Sequence, residues 1–265
     1  MNRRTPRLRV FFARSIRRIE RRITELDLIM KVLAKCLWAL VAGSCGCVSA
    51  ALSYDYSGSA LAIPDNTGSG VAFNFSLSDQ ASSITALSVT LNISGGYNGD
   101  LYAYLSHGAG FAVLLNRAGI GVTTAGSSAG GYANTGFSIT FDSSASGDLH
   151  FYQNAGPAYN GSGQLTGTWR PDGRGIDPES APTAFDSPGT ANFNTFNGVN
   201  PNGNWTLFLA DVSGGAVSTL NDFSISVTAV PEPVNAALAA FAGITIIVSL
   251  LFRRPRNHRR APRSQ

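Results

Sequence analysis

Cysteine, lysine, histidine and helical periodicity are all scarce in this sequence, and each shortage excludes a class of chemistry. Three of the 265 residues are cysteine: Cys36, Cys45 and Cys47, all within one apolar stretch near the N-terminus. The rest of the chain has no disulfide to hold it and no thiolate for catalysis or metal binding. Lysine occurs only at Lys31 and Lys35. Residues 51–230 carry 12 acids against Arg117, Arg170 and Arg174, a net of −9, although the whole chain is formally +4. That central segment repels phosphate, so nucleic-acid binding is excluded. Its histidines, His107 beside Gly108 and His150 after Asp148-Leu149, read as solvated turn residues. Neither has acids at ligand spacing, so no zinc site is expected. No Walker-type or Gly-x-Gly-x-x-Gly run is present to cradle a nucleotide. The pentapeptide Gly126-Ser127-Ser128-Ala129-Gly130 matches the Gly-x-Ser-x-Gly nucleophile pattern. A nucleophile elbow needs a helix after its serine, and Gly131 to Gly136 cannot supply one. Catalytic residues are therefore not expected, and a hydrolase using Ser128 is the last of the rival readings.

The two ends read as addresses. Residues 1–29 hold nine arginines. From Met30, a short basic stretch leads into the apolar run 36–46 and then Val48-Ser49-Ala50. Basic region, apolar region and small-residue cleavage site together make a secretory signal peptide, with cleavage between Ala50 and Ala51. Either the basic front is unusually long or translation starts at Met30, and the second gives the more regular layout. Lipidation at Cys45 or Cys47 is disfavoured because Ala42-Gly43-Ser44 is a poor lipobox.

At the other end, Val230-Pro231-Glu232-Pro233 precedes an apolar run over 234–252, then Arg253, Arg254 and further arginines. A helix of that length spans ~28 Å, enough for a bilayer core. Its arginine cluster stays cytoplasmic and leaves residues 51–230 outside. The order of Pro-Glu-Pro, one span and terminal arginines resembles the PEP-CTERM sorting signal of Gram-negative bacteria. The resemblance implies recognition and processing by an exosortase-type enzyme, after a signal peptidase has acted at the front. The expected organisation is a basic extension and signal peptide over 1–50, one domain over 51–229 and a sorting tail over 230–265.

The middle alternates at period two, as half-buried strands do. Val71, Phe73, Phe75 and Leu77 share one face; Leu87, Val89, Leu91 and Ile93 share another. The pattern returns at Leu101 to Leu105, Phe137 to Phe141, Trp205 to Leu209 and Phe223 to Val227, with glycine-rich turns between. Sustained helical periodicity is absent. Many short strands and glycine turns predict an all-β sandwich or jelly roll. The proline-rich stretch Tyr152 to Asn200 is poor in strand pattern and reads as an ordered excursion over the sandwich.

Several segments carry a second resemblance. They are Gly95-Gly96-Tyr97-Asn98-Gly99-Asp100-Leu101, Gly136 to Asp142, Asn200-Pro201-Asn202-Gly203-Asn204-Trp205-Thr206-Leu207 and Leu220 to Ile225. Their order over roughly residues 82–227 is similar to the P domain of proprotein convertases, which implies a galactose-binding-like jelly roll. The chain departs from that family where Ser143 follows Asp142 and in the length of the insertion over 152–193. Asn202-Gly203 permits a tight turn before the strand on which Trp205 is a buried wedge.

Two ligands remain open. Asp100, Asp142 and Asp211 each adjoin a strand end, where hard oxygen ligands hold calcium or simply cap turns. Tyr97, Tyr132, Tyr152, Tyr159 and Trp169 either form platforms for extracellular polysaccharide or wedge against the insertion. The expected protein is an exported, non-catalytic, structural or adhesive component of a cell surface or matrix. Until it is processed, residues 234–252 anchor it in the membrane. The alternatives are a glycan-binding module and an accessory domain for a separate subtilisin-like protease.

Overall fold

The structure, a computed structural model, describes residues 49–79 and 81–231, together with 19–24, 27, 31, 35, 241–243, 245 and 246. The chain forms two compact units, one from residues 48–238 and the other from 1–47 and 239–265. In the second unit the described residues are helical. Among the described residues no helix is long and apolar enough to cross a membrane. The apolar run 36–46, most of 234–252, and Glu232, Pro233, Arg253 and Arg254 lie outside the described residues.

The unit over 48–238 is an all-β sandwich of two sheets. In chain order its strands are β1 (Ala50–Tyr56), β2 (Leu61–Ala62), β3 (Thr67–Leu77), β4 (Ala81–Gly95), β5 (Leu101–His107), β6 (Gly110–Asn116), β7 (Phe137–Asp142), β8 (Leu165–Trp169), β9 (Gly203–Asp211) and β10 (Ser218–Pro231). One sheet runs β1-β10-β4-β7-β8, with β2 also on β10; the other runs β3-β9-β5-β6. The β7–β8 pair is parallel and the remaining pairs are antiparallel.

The alternation read from the sequence is the alternation of burial. Leu87, Val89, Leu91 and Ile93 of β4, Phe137, Ile139 and Phe141 of β7 and Leu207 and Leu209 of β9 all face one core. Period-two patterning gives each strand one wet and one dry face, and stacking the dry faces removes both from water. Rings lock the layers together: Phe75 of one sheet lies 6.1 Å from Phe223 of the other, and Tyr54 stacks on Phe75 at 4.2 Å. On β10 the inward residues Leu220 and Phe223 are three apart. A bulge between Leu220 and Asp222 takes up the odd residue and restores the phase.

Trp205 is fully buried. Phe196 covers one side of its indole at 5.5 Å, and the His107 ring stacks on it at 4.2 Å and 5°. Its Nε1–H donates to the Pro201 carbonyl at 2.9 Å. The turn before it needs φ of +112° at Gly203, a conformation glycine adopts without strain.

The stretch from 143 to 202 connects β7 to its parallel neighbour β8 and then returns to β9. It covers the outside of β6. The Val113 amide donates to Ala191 O, and the amides of Asp172 and Gly173 donate to Leu114 O and Val113 O.

Candidate functional site

Two of the three predicted calcium ligands come together. Leu101 opens β5 opposite Asp211, the last residue of β9, which sets Asp100 and Asp211 side by side at one end of the sandwich. Both are buried. The Val212 amide donates to the Asp100 carbonyl at 2.9 Å, and the Ser218 hydroxyl donates to Asp211 Oδ2 at 3.0 Å. Asp211 Oδ1 is buried with no partner. Burial first, and then the charge of Asp211, pushes the Asp100 carboxyl up from 3.8 to about 6. Arg117, whose Nε donates to Gly99 O, opposes that rise only in part. Burial likewise raises Asp211, and Asp65 adds repulsion to both.

The fit to a cation is therefore partial. Two carboxylates and one unpaired oxygen suit a hard cation. Among the described residues, however, no group of three His, Cys, Asp or Glu side chains is placed to hold one. Asp142 is not part of this end. It pairs with Ser88, in the middle of β4, and its Oδ1 accepts the Ser144 amide at 2.7 Å. Adjacency to a strand end, the feature shared by all three acids, does not say which end of the sandwich that is.

Both histidines differ from the solvated turn residues expected of them. His107 is buried beside Trp205, its ring nitrogens facing Asn204 O at 2.8 Å and Asn200 O at 2.7 Å. His150 is fully buried, with Nδ1 at 2.7 Å from Asp172 Oδ2 and Nε2 at 2.7 Å from Ile120 O. Its ring stacks on Phe185. Arg174 completes the network, bonding Asp172 and Asp148 and donating from Nε to Phe185 O. Asp172 thus holds one ring nitrogen of the imidazole, and the Ile120 carbonyl holds the other. The Ser128 hydroxyl donates to Gly131 O at 2.9 Å. Local spacing gave no sign of this network, because His150 and Asp172 are 22 residues apart.

The loop aromatics divide. Tyr132, Tyr152 and Trp169 are buried, which decides between the two readings: they are wedges and not platforms. The Tyr152 hydroxyl donates to Asn134 Oδ1 and accepts from Asn98 Nδ2, both at 3.0 Å. Trp169 sits on β8, and its Nε1–H donates to Thr166 O. Burial pushes the Tyr132 phenol up to about 12 and raises Tyr152 as well. Tyr97 and Tyr159 remain exposed, at 39% and 40%.

The strand ends also bear on the predicted processing points. β1 starts at Ala50 and β10 ends at Pro231, and Ala50 pairs with Ala229. The two boundaries of the fold thus lie on adjacent strands. At this same end a cavity of about 310 Å³ opens among Thr85 to Leu87, Asp142 to Ser144 and Phe193, Asn194 and Asn197. Sequence reading did not find it, since its walls come from three separate parts of the chain.

No family model matches this chain, and no curated protein matches it. Among solved structures it is similar to the serine protease of Aeromonas sobria in complex with its chaperone, at 15% identity and a TM-score of 0.35. That match covers 70% of this chain and 27% of the protease chain. The same protease solved by itself gives 15% identity and a TM-score of 0.35 over 69% of this chain and 27% of its own.

Proposed function

We propose that residues 51–229 are the working module, a P-domain-like jelly roll, of an exported, non-catalytic surface or matrix protein. A PEP-CTERM-type tail delivers it. The order of Val230-Pro231-Glu232-Pro233, an apolar run and Arg253-Arg254 carries this reading. It is supported by where the last strand stops: β10 ends at Pro231, the second residue of the motif. Likewise the cleavage point between Ala50 and Ala51 falls at the first bond of β1. Signal peptidase and an exosortase-type enzyme are then the processing partners. The apolar span holds the protein in the membrane, at least until the tail is processed. Mass spectrometry of the exported protein tests the reading. The expected product begins at Ala51 and lacks the arginine cluster. Intact 265-residue chain recovered from the cytosol overturns the proposal, and stoichiometric co-purification with a subtilisin-like protease replaces it with the accessory role.

A second reading concerns the Asp100–Asp211 end. The unpartnered Asp211 oxygen beside a second buried carboxylate favours a bound cation, calcium by the hardness of its ligands. Binding to the folded state alone raises the melting temperature by mass action. An equal melting temperature in excess EDTA and in millimolar calcium rejects this site.

A further inference from the structure

The two sheets turn unlike outer faces to their surroundings. On the six-stranded sheet, Ser224, Thr90, Thr140 and Thr168 lie side by side across β10, β4, β7 and β8, with Asp222 and Asp142 in the neighbouring rows. Hydroxyls and carboxylates of this kind make an ordinary solvated surface. The outward positions of the other sheet gather four rings instead: Tyr102 and Tyr104 of β5, Phe111 of β6 and Phe208 of β9. Tyr104 lies opposite Phe208 in the ladder, and their rings stack at 5.0 Å. Phe111 is 5.2 Å from Tyr104 on the other side, and Tyr102 is 6.0 Å from Tyr104 along the strand. Phe111 is 38% exposed and the other three are partly exposed, so all four keep accessible surface. Single exposed rings need no explanation, whereas contiguous ones mark a binding surface. Polar groups stand among them. The hydroxyls of Tyr102, Tyr104 and Ser106 make no hydrogen bond among the described residues. Asn74, in the next row, accepts the Thr206 hydroxyl at 2.8 Å through Oδ1 and leaves its amide free.

Charge decides the class of partner. The strands of this sheet contain no lysine, arginine or glutamate, and their single aspartate, Asp211, is buried. An anionic partner is repelled by the surrounding segment, whose net charge is −9, and a second copy brings the same −9 with it. A basic peptide finds no carboxylate on the face to pair with. Uncharged rings set among hydroxyls match a molecule with apolar C–H faces and hydroxyl edges. We propose that this sheet face binds an uncharged polysaccharide lying across the strands, its successive sugar rings resting against Phe208, Tyr104 and Phe111. Neighbouring strands are about 4.8 Å apart, so an extended chain meets a fresh ring at each one. Hydroxyls at the sugar edges bond the two phenols, Ser106 and the Asn74 amide. The adhesive reading thereby gains a ligand, and the proposal rests on that reading only for its biological setting.

The test is affinity electrophoresis of the full chain, in a detergent without a sugar headgroup, through gels cast with dextran, galactomannan or mixed-linkage β-glucan. A gel cast with alginate and sedimentation of the protein alone are separate arms. The expected result is retardation by at least one of the neutral polysaccharides. Tyr104→Thr with Phe208→Thr weakens it about tenfold, and Tyr159→Ala, an exposed tyrosine elsewhere, leaves it unchanged. Threonine suits an outward strand position, so the double variant keeps a melting temperature close to wild type. Phe111→Ala, at the most exposed of the four rings, weakens retardation severalfold and serves if the double variant fails to fold. The idea fails if no neutral polysaccharide retards the protein or if retardation survives loss of the rings. Retardation by alginate alone overturns it in favour of an anionic partner. A self-associated protein that the double variant returns to monomer, with no polysaccharide effect, gives the face to a second copy. None of these failures touches the export reading, which mass spectrometry of the termini decides separately.

Discussion

The strand layers and the excursion over 143–202 bury their residues on opposite principles. In the layers the inward positions are apolar from Leu87 to Ile93 of β4, Phe137 to Phe141 of β7 and Trp205 to Leu209 of β9, so burial itself is the stabilising term there. In the excursion several of the buried groups are polar: His150, Gln164, Asp172 and Arg174. Gln164 Nε2 reaches across to Asn92 Oδ1 and Ile93 O, which ties the excursion to the sheet by directed bonds. The layers tolerate exchange of one apolar side chain for another of similar volume. The excursion tolerates none that breaks a pairing, because a polar group left alone in the interior costs its full desolvation.

Three experiments break or sharpen that contrast. The largest effect belongs to the layers: Trp205→Ala removes the ring that stacks with Phe196 and His107 and costs about 4 kcal/mol in a denaturant titration. Asp172→Asn strikes the excursion and leaves Arg174 and His150 without their shared anion. It costs about 3 kcal/mol, nearly as much as the tryptophan, for the exchange of one oxygen for a nitrogen. A loss below about 0.5 kcal/mol, the scale of an ordinary surface change, would falsify the claim that pairing holds this region.

The third effect is smaller and depends on pH. Asp100 has its folded carboxyl raised from 3.8 to about 6, so the folded state binds the proton more tightly than the unfolded one. Stability from this group is complete below its ordinary value, declines as pH rises through about 6 and is level above that. Melting curves of Asp100→Asn in EDTA should lack this slope and lie above wild type at pH 8. An unchanged slope would show that Asp100 is not its source.

Six strands were legible in the sequence because each has one wet and one dry face. β6 was not, for a physical reason. The excursion covers its outer side, so Ala112, Val113, Leu114 and Leu115 are all buried and the alternation disappears. β8 escaped notice since only Leu165 and Trp169 of its five residues are buried, with Gly167 between them. β1 lies just past the signal region, and its Leu52, Tyr54 and Tyr56 are too few to stand out from the apolar run before them. The site residues fared less well. Asp100 and Asp211 were found by their places at strand ends, yet the same rule added Asp142, which belongs to the cleft. His150, Asp172 and Arg174 depend on contacts between distant parts of the chain, and no local spacing encodes them.

The placement of β10 has a mechanical consequence. It is an interior strand, hydrogen-bonded to β1 along one side and to β4 along the other, and the tail continues from its last residue. If the far end of the sandwich is held, traction on residue 231 runs lengthwise along this strand. Both ladders then resist together in shear rather than unzipping rung by rung, and survival under load becomes a matter of rate rather than of equilibrium.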